Sequence, residues 1–229
     1  MRDRWKGYWD RHAAMAGSED PFRQVQRVAN RRPISREAFE QVARYVVGGL
    51  ELEPGHAVLD LCCGNGLLSA AMEPHCASIV AVDFCERLLE EVGGRTTGKT
   101  LTMAADARTI EFPPGSFDRV LVAAAIQHFE RSEVIRLFRK AAGFLRRGGI
   151  LLVTDIPDNA RMWRFHDSTE REDSCFENEE RGTPILGTWF ERAWMEKLGR
   201  HAGFGQSSAL DQPPEFLYSH YRFDLRCRR

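Results

Sequence analysis

The chain has 229 residues, enough for one sizeable α/β core, and its 43% hydrophobic and 28% charged residues are an ordinary globular balance. The 32 Lys+Arg and 33 Asp+Glu nearly cancel, so the broad basic footprint of a protein that grips nucleic acid along its backbone is missing. No apolar run approaches the roughly 20 residues of a membrane span. The opening Met-Arg-Asp-Arg-Trp-Lys-Gly-Tyr-Trp has no apolar stretch of the secretory kind, and a soluble cytoplasmic protein is expected.

Six cysteines, Cys62, Cys63, Cys76, Cys85, Cys175 and Cys227, show no CxxC metal spacing and read as reduced thiols, Cys62, Cys76 and Cys85 as small core side chains. The basic clusters Arg31-Arg32 and Arg226 to Arg229 read as solvated charge.

Residues 1–32 are polar, rich in arginine and aromatic side chains, and irregular; with 33–34 they form an N-terminal extension. Ser35, after Pro33, is the expected N-cap of a helix that runs to Gly48-Gly49. Pro54-Gly55 makes a turn, and from there strand and helix alternate. Strands are expected at 57–62, 79–83, about 100–104, 117–123 and 150–154. Helices are expected at 67–72 and 86–92. A third, capped by Ser132, carries Val134, Leu137, Phe138, Ala141 and Leu145 at helical spacing and ends at Gly148-Gly149. Such βαβ spacing predicts an α/β fold: a Rossmann-like, doubly wound, mostly parallel sheet with helices on both faces.

Residues 156–187 are polar and lose the period, as a substrate-lid insertion would. A helix at about 188–202 follows. Strands near 205–210 and 217–225, joined around Pro213-Pro214, complete seven strands as an antiparallel C-terminal edge pair. A single domain over 1–229 is expected.

A sheet of this kind binds ligands beyond the carboxyl ends of its strands, where the strand order reverses. The loop after the first strand, Asp60-Leu61-Cys62-Cys63-Gly64-Asn65-Gly66, puts two glycines where the backbone takes positive φ or lies close to a ligand. Asp83, 17 positions after Gly66, ends the second strand, where a carboxylate can accept both hydroxyl hydrogens of a ribose. Dinucleotide dehydrogenases share that much. Three features separate the two readings. Asp60 would sit uneasily beside a pyrophosphate but suits a ligand with an ammonium group. The full G-x-G-x-x-G is missing. Asp106, after the third strand, is placed to accept from an adenine amine.

Together these segments resemble the class I S-adenosylmethionine-dependent methyltransferases. Val58-Leu59-Asp60-Leu61-Cys62-Cys63-Gly64-Asn65-Gly66 is similar to their first motif, Ala81-Val82-Asp83-Phe84 to their ribose-binding strand end, and Ala104-Ala105-Asp106-Ala107 to their adenine-contacting motif. Phe117-Asp118-Arg119-Val120 with Ile126-Gln127-His128-Phe129 resembles the fourth strand and active-site loop, and Leu145-Arg146-Arg147-Gly148-Gly149-Ile150 the turn into the fifth. Where that family usually has the first glycine of the loop, this chain has Cys62, which narrows the space beside the cofactor.

The resemblance implies S-adenosyl-L-methionine as cofactor. Asp60 would orient its ammonium end, with Cys62, Gly64 and Gly66 lining the methionine portion. Asp83 would take the ribose hydroxyls, Phe84 would cover the adenine, and Asp106 with Ala107 would meet its amine edge. Ala123, at the end of the fourth strand, completes the expected cofactor set.

His128 is the candidate base, because histidine titrates near physiological pH and the loop after the fourth strand should face the transferred methyl. A cap or packing role is its bland alternative. His12, His166 and His220 are weaker candidates. Trp5, Tyr8 and Trp9 could lie over the cofactor and exclude water. Arg23 and Arg27 could pair with an anion but read better as a solvated helix face. Met162, Trp163, Phe165 and His166 mix aromatic and polar groups as a lid would. Asp158-Asn159 stands where catechol-type methyltransferases place metal ligands, yet Ala123-Ala124-Ala125-Ile126 lacks the matching acid, so no metal is expected.

No Asp/Asn-Pro-Pro-aromatic motif and no Pro-Cys pair is present, so a small-molecule acceptor is expected rather than a nucleic-acid base. A hydroxyl acceptor makes use of His128, and a neutral amine comes second. Two other classes stay open: a binding or regulatory protein without turnover, and an NAD-linked reductase, which Asp60 disfavours. Acceptor identity and oligomeric state are not legible.

Overall fold

A computed structural model describes residues 2–15, 20–29 and 32–229. Its central sheet has seven strands: β1 (Ala57–Leu61), β2 (Ser78–Asp83), β3 (Thr100–Ala104), β4 (Phe117–Ala123), β5 (Leu145–Pro157), β6 (Gln206–Asp211) and β7 (Arg222–Arg228). Their order is β3-β2-β1-β4-β5-β7-β6, parallel from β3 to β5, with β7 antiparallel to both β5 and β6. The expected mostly parallel sheet with an antiparallel edge pair is therefore present.

Period-two burial explains the central strands. Leu59 of β1, Val120 and Val122 of β4, and Leu151 and Val153 of β5 enter one core with Phe138, Met195 and Phe223. Val58, Leu121, Ile150 and Leu152 point the other way, into a second core with Phe39, Val46 and Met72. A parallel sheet covered on both faces needs apolar side chains in both directions, and these strands supply them.

The covering helices include α1 (Arg2–Met15), α2 (Arg36–Gly49), α3 (Leu67–Met72), α4 (Glu86–Glu90), α5 (Arg131–Phe144), α6 (Thr169–Glu180) and α7 (Arg192–His201). Ser35 caps α2 as expected, its Oγ accepting from the Ala38 N–H. Polar ties fix the amino-terminal edge of the sheet: Asp118 accepts from the Ala57 N–H at 2.8 Å and takes Arg146 on both oxygens.

Several local expectations are corrected. Residues 2–15 are a helix, because Trp5, Tyr8, Trp9 and His12 recur at helical spacing and their rings meet one another. The N-cap of α5 is Glu130 rather than Ser132, in a capping box with Glu133. The fifth strand already begins at Leu145 and continues through Gly148-Gly149. Residues 156–187 contain α6 and a short helical turn, Met162–Phe165. Arg31 of the Arg31-Arg32 pair lies outside the described residues.

Candidate functional site

The strand order reverses between β1 and β4, and a cleft of about 970 Å³, counting the part open to solvent, lies beyond their carboxyl ends. Asp60, Cys62, Gly64, Asp83, Phe84, Asp106, Ala107, Ala123 and His128 all line it. Gly66 does not. It sits at the start of α3 with φ 77°, and a Cβ there would lie 2.9 Å from both methyls of Val92, so close packing explains this glycine.

Asp83 holds the floor of the cleft together. Its Oδ2 accepts from the Gly64 N–H and its Oδ1 from the Cys85 N–H, both at 2.9 Å, joining the glycine loop to the turn after β2. A carboxylate has about four acceptor sites, so these two bonds leave capacity for a ligand hydroxyl. Burial raises its pKa above the ordinary carboxylate value, and the backbone donors oppose that rise. Asp60 is also buried and takes a 2.6 Å bond from the Ser69 hydroxyl. Burial pushes its carboxyl up to about 7, with the nearby Asp83 charge adding to the shift. Asp106 is gripped by Arg108, whose Nε lies 2.8 and 3.0 Å from its two oxygens.

Backbone conformation is strained where the strands meet the cleft. Cys62 after β1 and Ala124 after β4 take left-handed φ values of 62° and 52°, and Asp155 within β5 takes 61°. Such values are uncommon for residues with a Cβ and gather at functional sites. Cys62 thus adopts the glycine-like conformation of the residue usual at its position. At Asp155 the β5–β7 register shifts, and the displaced side chain pairs with Arg27 at 3.2 Å.

The roof comes from α1 and the segment after it. Trp5 and Trp9 line the cleft, and the Trp5 ring centroid is 4.1 Å from that of His128. Asn65 donates to the Pro21 carbonyl at 2.8 Å and the Gln24 side chain at 2.7 Å, tying the glycine loop to this segment. Arg27 is buried in the cleft wall and is not on a solvated helix face, whereas Arg23 is exposed. Tyr8 faces an adjoining chamber that shares Trp5, Trp9, Arg27, Ala124 and His128 with the cleft.

The other histidines lie elsewhere. His12 contacts the Arg23 carbonyl, His166 contacts the Arg171 carbonyl, and His220 packs on Tyr221. Phe165 and His166 stack among Trp189 and Tyr221, and with Met162 and Trp163 they do not line the cleft. Asp158 caps a turn and pairs with Arg192 and Arg161. Among the described residues no three His, Cys, Asp or Glu side chains gather to hold a metal ion.

Sequence reasoning missed Asn65, Arg108, Gln127 and Arg222 as individuals. Asn65 and Gln127 sit inside quoted motifs, which was the available signal. Arg222 comes from β7, remote in sequence from the motifs, and carries no local pattern.

The chemistry of the cleft fits S-adenosylmethionine. Three carboxylates face a space otherwise walled largely by apolar and aromatic groups, as suits a cationic ligand bearing a ribose and an adenine.

Residues 58–149 match a family model described as a methyltransferase domain. The phosphoethanolamine N-methyltransferase of Plasmodium falciparum is 30% identical over 120 residues, covering 50% of this chain and 44% of that protein. The ubiquinone biosynthesis O-methyltransferase of Xanthomonas campestris is 29% identical over 116 residues, 49% and 47% of the two chains. This chain thus spans about half the length of these curated relatives. Among solved structures, the magnesium protoporphyrin IX methyltransferase of Synechocystis, with bound SAH, superposes with a TM-score of 0.65 at 17% identity, covering 98% of this chain and 94% of that one. No helix among the described residues is long and apolar enough to cross a membrane. Residues 58–149 are thus similar to a methyltransferase domain, and the sheet order and the motifs gathered in one cleft resemble the class I S-adenosylmethionine-dependent methyltransferases.

Proposed function

We propose that this chain transfers the methyl group of S-adenosylmethionine to a hydroxyl of a small molecule, with His128 as the base. The observation that carries the reading is the convergence of Asp60, Asp83, Asp106 and His128 on one cleft at the strand-order reversal. Asp60 would meet the ammonium group, with Cys62 and the Gly64 backbone beside the methionine portion. Asp83 would accept from the ribose hydroxyls. Phe84 would cover the adenine, while Asp106, Ala107 and Ala123 would complete its surround.

The cofactor supplies an activated methyl, so the protein must align the acceptor and remove its proton. His128 would take the hydroxyl proton as the oxygen gains the methyl, and Trp5 against its ring would keep water out. A neutral amine acceptor is the second reading, favoured by the N-methyltransferase relative. We read the chain as one domain, with 1–34 as an N-terminal lid or extension and 156–187 as a substrate-lid insertion. The six unpaired thiols suit a reducing cytoplasm.

Calorimetric titration with S-adenosylmethionine, S-adenosylhomocysteine and NAD tests the cofactor; preference for NAD would overturn it. His128→Ala should keep cofactor affinity and lose about 10²–10⁴-fold in turnover on a hydroxyl acceptor. Normal turnover would make His128 a packing residue, and binding without turnover on any acceptor would favour a regulatory protein.

A further inference from the structure

The chamber adjoining the cofactor cleft has a composition that selects a ligand. It encloses about 540 Å³, counting solvent-open space, and meets the cleft at Ala124, His128 and the Trp5–Trp9 face. Trp5, Tyr8, Trp9 and Tyr218 give it flat walls, and Ile185 and Leu186 add apolar surface. Its charged lining residues are Arg27 and Arg222, and no Asp or Glu among the described residues lines it.

Their acidic counterpart faces away. Asp155 accepts from Arg27 with its carboxylate and from Arg222 with its backbone carbonyl at 2.9 Å, and together with Asp224 it lines a separate cavity. Two buried polar groups of the chamber are also unspent. Arg222 is 6% exposed and its Nε–H has no hydrogen-bond partner among the described residues. Gln127 is 5% exposed; its amide nitrogen donates to the Ala124 carbonyl, and Oε1 has no partner among the described residues. Leaving a buried donor and a buried acceptor unmet is costly, and a ligand that meets both removes that cost.

We infer that the acceptor is a flat, largely apolar molecule carrying an oxyanion, carboxylate or phosphate, which Arg222 and Arg27 bind, and a hydroxyl that faces His128, while Gln127 accepts a hydrogen bond from a second donor of the ligand. This deepens the methyl-transfer reading and rests on it. The anion sits at the β7 end of the chamber and the hydroxyl at the His128 end, so charge recognition fixes which oxygen is presented for methylation. Arginine suits this task because its planar fork matches both oxyanions.

The test uses the full chain saturated with S-adenosylhomocysteine and matched probes: 4-hydroxybenzoate against its methyl ester, and 4-hydroxyphenyl phosphate against 4-methoxyphenol. By calorimetry or saturation-transfer NMR, each anion should bind about tenfold or more tightly than its neutral partner. Arg222→Gln should abolish that preference, Arg222→Lys should keep part of it, and both should leave S-adenosylhomocysteine affinity unchanged. Equal or tighter binding of the neutral probes, or a preference that survives Arg222→Gln, overturns the inference. If Arg222→Gln does not fold, the wild-type pairs decide alone. Failure of S-adenosylhomocysteine itself to bind would sink the cofactor reading, and the probe pairs measured without it would still judge the anion site.

Discussion

Asp60→Asn isolates the carboxyl that we place at the ammonium end of the cofactor. Asp60 is buried and its carboxyl is pushed up to about 7, so below neutrality it holds its proton. A cationic ligand that binds only the carboxylate must first displace that proton. Between about pH 5.5 and 7.5 the ionised fraction of such a group rises about 25-fold, or about 1.9 kcal/mol of binding free energy. Affinity for S-adenosylhomocysteine should therefore tighten by that order across the range and level off above it. Calorimetry near pH 6 in two buffers of different ionisation enthalpy should show nearly one proton released per ligand. Asparagine can still accept the Ser69 hydroxyl bond, so the variant should fold, bind more weakly at pH 7.5, and lose both the slope and the proton release.

Without ligand the sign reverses. The folded chain keeps this proton to about pH 7 while an unfolded aspartate releases it near 4, so Asp60 lowers stability as pH rises through that window. A pH-independent affinity in the wild type, or a slope that persists in Asp60→Asn, would refute the assignment.

Asp83→Ala removes the acceptor for Gly64 and Cys85 as well as the proposed ribose contacts. It should weaken S-adenosylhomocysteine binding by roughly 3 kcal/mol, about 100-fold; unchanged calorimetric affinity in a folded variant would end the ribose role. Gly66→Ala should cost roughly 2 kcal/mol in urea unfolding, from the left-handed φ and the Val92 contact, yet leave ligand affinity within about threefold. A large affinity loss at unchanged stability would return Gly66 to the binding surface. Gly187→Ala places a Cβ 2.2 Å from the Gln127 carbonyl oxygen at φ 96°, and should lift this loop off the His128 turn at a cost of roughly 2–4 kcal/mol. Unaltered thermal unfolding would contradict the close packing there.

The parallel strands were legible because burial on both faces leaves continuous apolar runs such as Val120-Leu121-Val122. The cleft was legible because its acids stand at strand ends, where chain order alone places them together. The helix α1 was obscured because its inward face is aromatic and its flanks are charged. No apolar stripe marks α6, which is polar nearly all round and buries Cys175 alone among its described side chains. Gly66 shows the opposite failure, a motif glycine read as approach to a ligand whose nearest constraint is a valine. The second chamber draws on α1, the loop before α7 and β7, and no local spacing announces such an assembly.

The Asn65 amide gives the cofactor loop a mechanical link to residues 20–27. Its two bonds to Pro21 and Gln24, with Arg95 also holding Gln24, mean that this surface segment cannot detach without unsettling the glycine loop. Local opening there and ligand occupancy therefore share one free-energy cycle. Amide hydrogen exchange along residues 20–27 becomes a remote gauge of the cleft: it slows as the site fills, although most of this segment never touches what fills it.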